Sequence, residues 1–164
     1  MTASSTFWDY SLAFYAQPEV AQACLTLQDE AGCDVNVLLY LLFLADQGRW
    51  LDDADLARID VIANAWREAV VAPLRGVRRR LKTTVGAFEP PLTAALRAEI
   101  KRLELAAERL QQETLERLAP ARELGVAAQD RASCARNNLA LYAKQLKPLP
   151  TEALAVIQNA FKQP

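Results

Sequence analysis

Apolar positions recur every three or four residues along most of this chain, and no stretch alternates long enough to make a trustworthy strand. The first stripe is Trp8, Leu12 and Tyr15, widened by Phe7 and Phe14, with Thr6 placed to cap the helix and Asp9 in the capping-box position. Pro18 ends that helix and suits the first position of the next, whose face carries Val20, Cys24, Leu27 and Ala31. Gly32 supplies the left-handed residue that closes many helices. Asp34 then caps a third helix, accepting from the amide of Asn36 or Val37. That helix contains nine unbroken apolar residues, Val37 to Ala45, so it is expected at the centre with every side covered.

Gly48 ends the central helix, and "LDDADL" restarts the chain with Asp52 or Asp53 as cap. Leu56, Ile59, Ala63, Trp66 and Val70 continue into Leu74, Val77 and Leu81, with a kink expected at Pro73. "TTVGAFEPP", residues 83–91, reads as a linker. Leu96, Ile100, Leu103, Ala107, Leu110 and Thr114 then form a coiled-coil-like seam over 92–118. Pro120 and Gly125 mark a break, and Ala128, Ala132, Ala135, Leu139, Tyr142 and Leu146 form a second seam. Thr151 is placed to cap a last helix presenting Leu154, Ile157 and Phe161. The expectation is one all-α domain over 1–164, a bundle of about seven helices. Its parts are a core bundle at 7–82, the linker at 83–91, a long antiparallel helical hairpin at 92–146 and a terminal helix at 151–162.

Composition sharpens this picture. A chain of 164 residues, 52% hydrophobic and with 5 glycines, is too apolar for disorder and too glycine-poor for a loop-rich β fold. With no histidine, Ser–His and Cys–His catalysis and imidazole metal ligation are excluded. Three scattered cysteines, Cys24, Cys33 and Cys134, do not make a zinc site and read as reduced, buried thiols. The start of the chain has no signal-peptide pattern, and the longest apolar run is far short of the roughly 20 residues a membrane helix needs. A cytoplasmic location is therefore expected. Residues 1–60 carry ten acids and two bases, a net of −8, whereas residues 61–164 carry ten acids and seventeen bases, a net of +7. Halves of opposite sign attract within one fold or between chains.

"FWDYSLAFYAQPEVAQACLTLQDEAGCDVNVLLYLLFLADQGRWL" followed by "WREAVVAPLRGVRRRLK" resembles a small proteobacterial family catalogued as a domain of unknown function. Its pattern is an aromatic-Ser-Leu opening, Tyr-x-x-Pro-x-Val, Leu-Gln-Asp-x-x-Gly-x-Asp-Val-Asn-x-Leu-Leu, a Trp, and Pro-Leu-Arg-x-x-Arg-Arg-x-Leu-Lys. The likeness covers about residues 7–82, with "NLALY" at 138–142 beyond it. The resemblance implies an all-helical fold and a bacterial cytoplasmic protein. It implies no activity, and no catalytic residue is carried over.

Two groups of residues stand out as candidate chemistry. Gln28, Asp29, Asp34 and Asn36 gather around the corner at Gly32, where they form either a polar ligand site or a set of helix caps, the simpler reading. Arg75, Arg78, Arg79 and Lys82 share one face of a basic amphipathic segment that suits an acidic protein surface, internal or external. Without interleaved aromatics nucleic acid is not expected, and an anionic lipid surface ranks below protein. "DDAD", 52–55, looks like an aspartate-rich metal motif but sits at a helix start, where capping accounts for it. Trp8, Trp50 and Trp66 read as core, and Cys33 as buried packing.

No cofactor, metal or catalytic residue is expected, and an enzyme is disfavoured. The first functional reading is a helical interaction or adaptor protein, self-associating or homodimeric, that uses the basic face and the hairpin. The alternative is a small-molecule or lipid-binding bundle with its polar site at the 28–36 corner. A cavity of about 300 Å³ or more beside Asp34 and Asn36 separates the second from the first.

Overall fold

The computed structural model describes residues 6–162. Its helices are α1 (Phe7–Tyr15), α2 (Val20–Ala31), α3 (Val35–Asp46), α4 (Asp53–Trp66), α5 (Ala72–Arg80), α6 (Pro90–Leu118), α7 (Arg131–Ala143) and α8 (Thr151–Phe161). A π-helical turn, Arg67–Val71, joins α4 to α5, so the two form one continuous rod. An all-α bundle is thus observed. The only sheet among the described residues pairs β1 (Arg49–Trp50) with β2 (Val126–Ala127), antiparallel, Arg49 opposite Ala127 and Trp50 opposite Val126.

α3 is the centre. Every residue from Asn36 to Ala45 is buried, as a helix that is apolar on all sides requires. α7 covers one side of it, α1 and α6 pack against it elsewhere, and α8 lies on α2. Phe7 of α1 sits 4.7 Å from the Tyr40 ring and 5.4 Å from the Phe43 ring, which anchors α1 to α3. Asn138 of α7 is fully buried and fixes the crossing. Its Nδ2 donates to the Leu41 and Arg49 carbonyls at 3.2 and 3.1 Å, and its Oδ1 accepts from the Leu51 amide at 3.1 Å. Arg49 in turn donates to the carbonyls of Leu124 and Gly125 at 2.6 and 2.8 Å. Gly125 lies here at φ 60°, where an added Cβ would stand 2.4 Å from the Trp50 carbonyl oxygen.

Several expectations change against this frame. The Trp8–Leu12–Tyr15 stripe does not enter the core. α1 buries Phe7, Ser11 and Phe14 instead, and Leu12 and Tyr15 are exposed. Pro18 lies in the turn before α2, with Glu19 at φ 63° as the residue before the helix. In place of the kink expected at Pro73, the helix widens into a π turn just before it. The proline has no N–H to give and its ring crowds the preceding turn, and the widened π turn takes up that mismatch. Thr151 is the first helical residue of α8, because Pro150, at φ −57° and an extended ψ of 116°, holds the cap position.

The 92–146 hairpin is also altered. Its two helices exist, but α6 packs mainly on α5, and α7 mainly on α3. The reason is which face of α6 is inward. Of the expected seam only Ile100 and Ala107 are buried, while Leu96, Leu103 and Leu110 stay outside. The inward set is Thr93, Ile100, Glu104, Ala107, Gln111, Gln112 and Leu115, a stripe offset from the seam by about one residue.

Charges of the two halves pair within the fold. Arg79 meets Asp29 at 2.6 Å, Arg131 bonds Asp46, and Lys144 lies 3.8 Å from Asp53. Each such surface pair contributes about 0–1 kcal/mol. No helix among the described residues is long and apolar enough to cross a membrane.

Candidate ligand-binding cavity

The corner expected at 28–36 divides in two. Gly32, at φ 75°, closes α2 as its amide donates to the Gln28 carbonyl and the Cys33 amide to the Leu27 carbonyl. Asp34 then caps α3. Its Oδ1 accepts from the Asn36 amide at 2.9 Å and the Val37 amide at 3.4 Å. Its own amide donates to the Tyr142 hydroxyl at 2.9 Å, and burial pushes that phenol well above its usual range. Asp29 stays outside with Arg79, whose hydrogen bond holds its carboxyl below the ordinary value, and Gln28 Nε2 donates to Asp29 Oδ1 at 3.5 Å while lining the cavity described below.

What the corner meets is α6. Gln111 Nε2 donates to Asp34 Oδ2 at 3.0 Å and to the Ala63 carbonyl at 3.2 Å. Asn36 Nδ2 donates to Gln111 Oε1 at 2.7 Å, and Gln112 Nε2 to Asn36 Oδ1 at 2.8 Å. The carboxylate fixes the direction of this relay. An ionised Asp34 only accepts, so Gln111 turns its NH₂ toward it, and each amide behind must follow. Gln112 Oε1 ends the relay as a buried acceptor without a partner, and Ser11 Oγ in α1 is likewise buried and unpartnered.

The basic face divides too. Arg75 Nε donates to Glu104 Oε1 at 2.8 Å and its Nη2 to Glu108 Oε1 at 2.6 Å. Arg78 grips both oxygens of Glu104. Burial raises the Glu104 carboxyl, but the bonds from Arg78 and Arg75 outweigh it and leave its pKa below the ordinary value. Glu108 shares only Arg75, so burial prevails and its pKa is raised. Arg79 and Lys82 point away from this cluster, Arg79 to Asp29 and Lys82 to solvent.

Between these two polar groups lies a cavity of about 820 Å³. α1 lines it with Trp8, Leu12 and Tyr15, α2 with Leu25, α3 with Val35 and Leu39, the π turn with Val71, and α6 with Leu105. Asp34, Asn36, Gln111 and Gln112 supply polar wall, as do Arg67, Arg75, Arg78, Glu104 and Glu108. The α1 stripe read as core is therefore cavity wall. A mostly apolar hollow with a few convergent polar groups, within the usual size range, is the common form of a small-molecule site.

A family model described as "Protein of unknown function (DUF2390)" matches residues 6–115. The chain belongs to the DUF2390 family. Every residue lining the cavity, from Trp8 to Gln112, falls inside the DUF2390 match. No curated protein and no solved structure matches the chain.

The other candidates fall as follows. Asp52 is the cap of α4, accepting from the Ala54 and Asp55 amides at 2.9 and 3.0 Å, and Asp55 Oδ2 accepts from the Asp52 and Gly125 amides. Among the described residues no group of His, Cys, Asp or Glu is arranged to hold a metal. Trp66 is half-buried, its Nε1 donating to the Ala107 carbonyl at 2.9 Å, whereas Trp50 is exposed on β1. Cys33 is buried and free, its thiol pushed up to about 12 by burial and the neighbouring Asp34 charge, so it is inert. The pattern reading missed Arg67, Glu104, Glu108, Gln111 and Gln112. One signal for them was present: Glu104, Glu108, Gln111 and Leu115 keep a 4–3–4 spacing beside the leucine seam.

Proposed function

We propose that this DUF2390 protein is a small-molecule-binding helical bundle whose site is the cavity bounded by α1, α3, α6 and the α4–α5 rod. The observation that carries the reading is the 820 Å³ hollow opening beside Asp34 and Asn36. Trp8, Leu12 and Tyr15 support it as well. They are apolar, regularly spaced and outside the core, a contiguous apolar surface of the kind that marks a binding groove. Arg75 and Arg78 are spent on Glu104 and Glu108, so the basic face serves to hold the cavity wall together. Three buried free thiols support a reducing compartment such as the cytoplasm.

The test is ligand capture. Native mass spectrometry of gently purified protein, and quenching of Trp8 by an apolar probe such as anilinonaphthalene sulfonate, should show one bound molecule per chain. Leu105→Trp, at the cavity edge, should reduce that binding without unfolding the chain. Absence of bound mass and of probe binding in the parent protein would overturn the reading.

A second reading rests on α6, whose Leu96, Leu103 and Leu110 repeat every seven residues and are 57%, 48% and 52% exposed. Such a stripe suits docking of a protein partner or a second copy of this chain. It is independent of the cavity, since these leucines do not line it.

A further inference from the structure

Taking the cavity as a ligand site, we infer that Arg67 is its anchor and that the ligand is an amphipathic monoanion, an organic carboxylate with an apolar body. Three observations point there. Arg67 stands in the cavity wall with its side chain 31% exposed, yet its guanidinium donates no hydrogen bond to any described residue. Its nearest anions are Asp34 Oδ2 at 4.0 Å, already taken by Gln111, and Glu68 Oε1 at 3.5 Å on the exposed surface. A guanidinium has five N–H donors in a fixed fork, and these remain available for a planar carboxylate.

The second observation is the charge of the wall. Five basic side chains line the cavity against three acidic ones. Arg75 and Arg78 are tied to Glu104 and Glu108, and Arg102 to Glu99 at 2.9 Å. Arg67 remains inside, and Lys101 stands exposed at the mouth. One available guanidinium among fixed acids suits a single negative charge. A phosphate dianion would bring a second negative charge next to Asp34, with Arg67 as the one guanidinium beside it.

The third is the backbone. Arg67 and Val71 begin and end the π turn, and both face the cavity. Single π turns inside helices are rare and are often found at functional sites. Here the turn sets a charge and an apolar contact within one turn of each other in the cavity wall, which suits an acid with an apolar body.

The experiment compares decanoate, 1-decanol and decylammonium by calorimetry on the folded protein and on Arg67→Gln, Arg67→Lys and Lys101→Gln, with circular dichroism to check the fold of each. Decanoate should bind the parent protein at least about tenfold more tightly than decanol, the least expected of a charge-assisted bond. Arg67→Gln should bring the two within about twofold of each other while decanol binding is unchanged, Arg67→Lys should keep part of the preference, and Lys101→Gln should keep nearly all of it. Equal binding of decanoate and decanol to the parent overturns the anchor but leaves the cavity reading standing. Tighter binding of decylammonium, or an equal loss in Lys101→Gln, overturns the anchor as well. No binding of any probe overturns both.

Discussion

Asp34→Ala tests the relay from which the cavity floor is built. The substitution removes two things. The first is the cap of α3, bonds from the Asn36 and Val37 amides, whose loss costs about 1 kcal/mol. The second is the bond from Gln111 Nε2 to a charged, buried oxygen, worth about 1.5–3 kcal/mol. Gln111 Nε2 keeps the Ala63 carbonyl, so the lower end applies and the sum is about 2.5 kcal/mol. For a chain of this size that lowers the melting temperature by about 5–10 °C. Asp34→Asn is the finer probe. It keeps an oxygen for the cap but sets an NH₂ against the NH₂ of Gln111. Either that contact fails or Gln111, Asn36 and Gln112 all turn over, and a turned Gln111 loses its bond to Ala63. Urea denaturation of both variants, with the side-chain amide signals of Gln111 and Gln112 followed by NMR, separates the terms. A loss under about 0.5 kcal/mol in Asp34→Ala, or unmoved amide signals in Asp34→Asn, would refute the relay.

Four further outcomes follow. Leu42→Ala, in a fully buried position of α3, should cost about 2–5 kcal/mol in urea denaturation, and a loss under about 1 kcal/mol would remove α3 from the centre. Glu104 has a folded pKa below its ordinary value of 4.5, so its contribution to stability is present above that value and is lost as pH falls below it. Acid titration of melting temperature should therefore show a shallower acid limb in Glu104→Gln than in the parent, and identical limbs would contradict the assignment. Glu108 has the opposite sign: its raised pKa makes stability fall as pH rises through the window above its ordinary value, and Glu108→Gln should flatten that slope in the same titration. Leu103→Glu on the outer face of α6 should change stability by less than about 0.5 kcal/mol, and any self-association seen by sedimentation should be lost with it.

The sequence by itself determined the local parts of this protein. Helix spans, the Gly32 closure, the Asp34 and Asp52 caps and the burial of α3 depend on residues within a turn or two of each other, and their physics is local. The tertiary structure decided which face of an amphipathic helix turns inward. On α1 and α6 two stripes compete, and hydrophobicity alone favours Trp8–Leu12–Tyr15 and Leu96–Leu103–Leu110. The fold inverts both choices. Glu104 and Gln111 go inward because Arg75, Arg78, Asp34 and Asn36, distant in sequence, are there to satisfy them, and a buried polar group is tolerated only when its partners arrive with it. The candidate site was legible only in half. Asp34 and Asn36 could be found at a helix start, but Arg67, Gln111 and Gln112 acquire meaning from separations of 33 to 77 residues, which no periodicity within one helix can report.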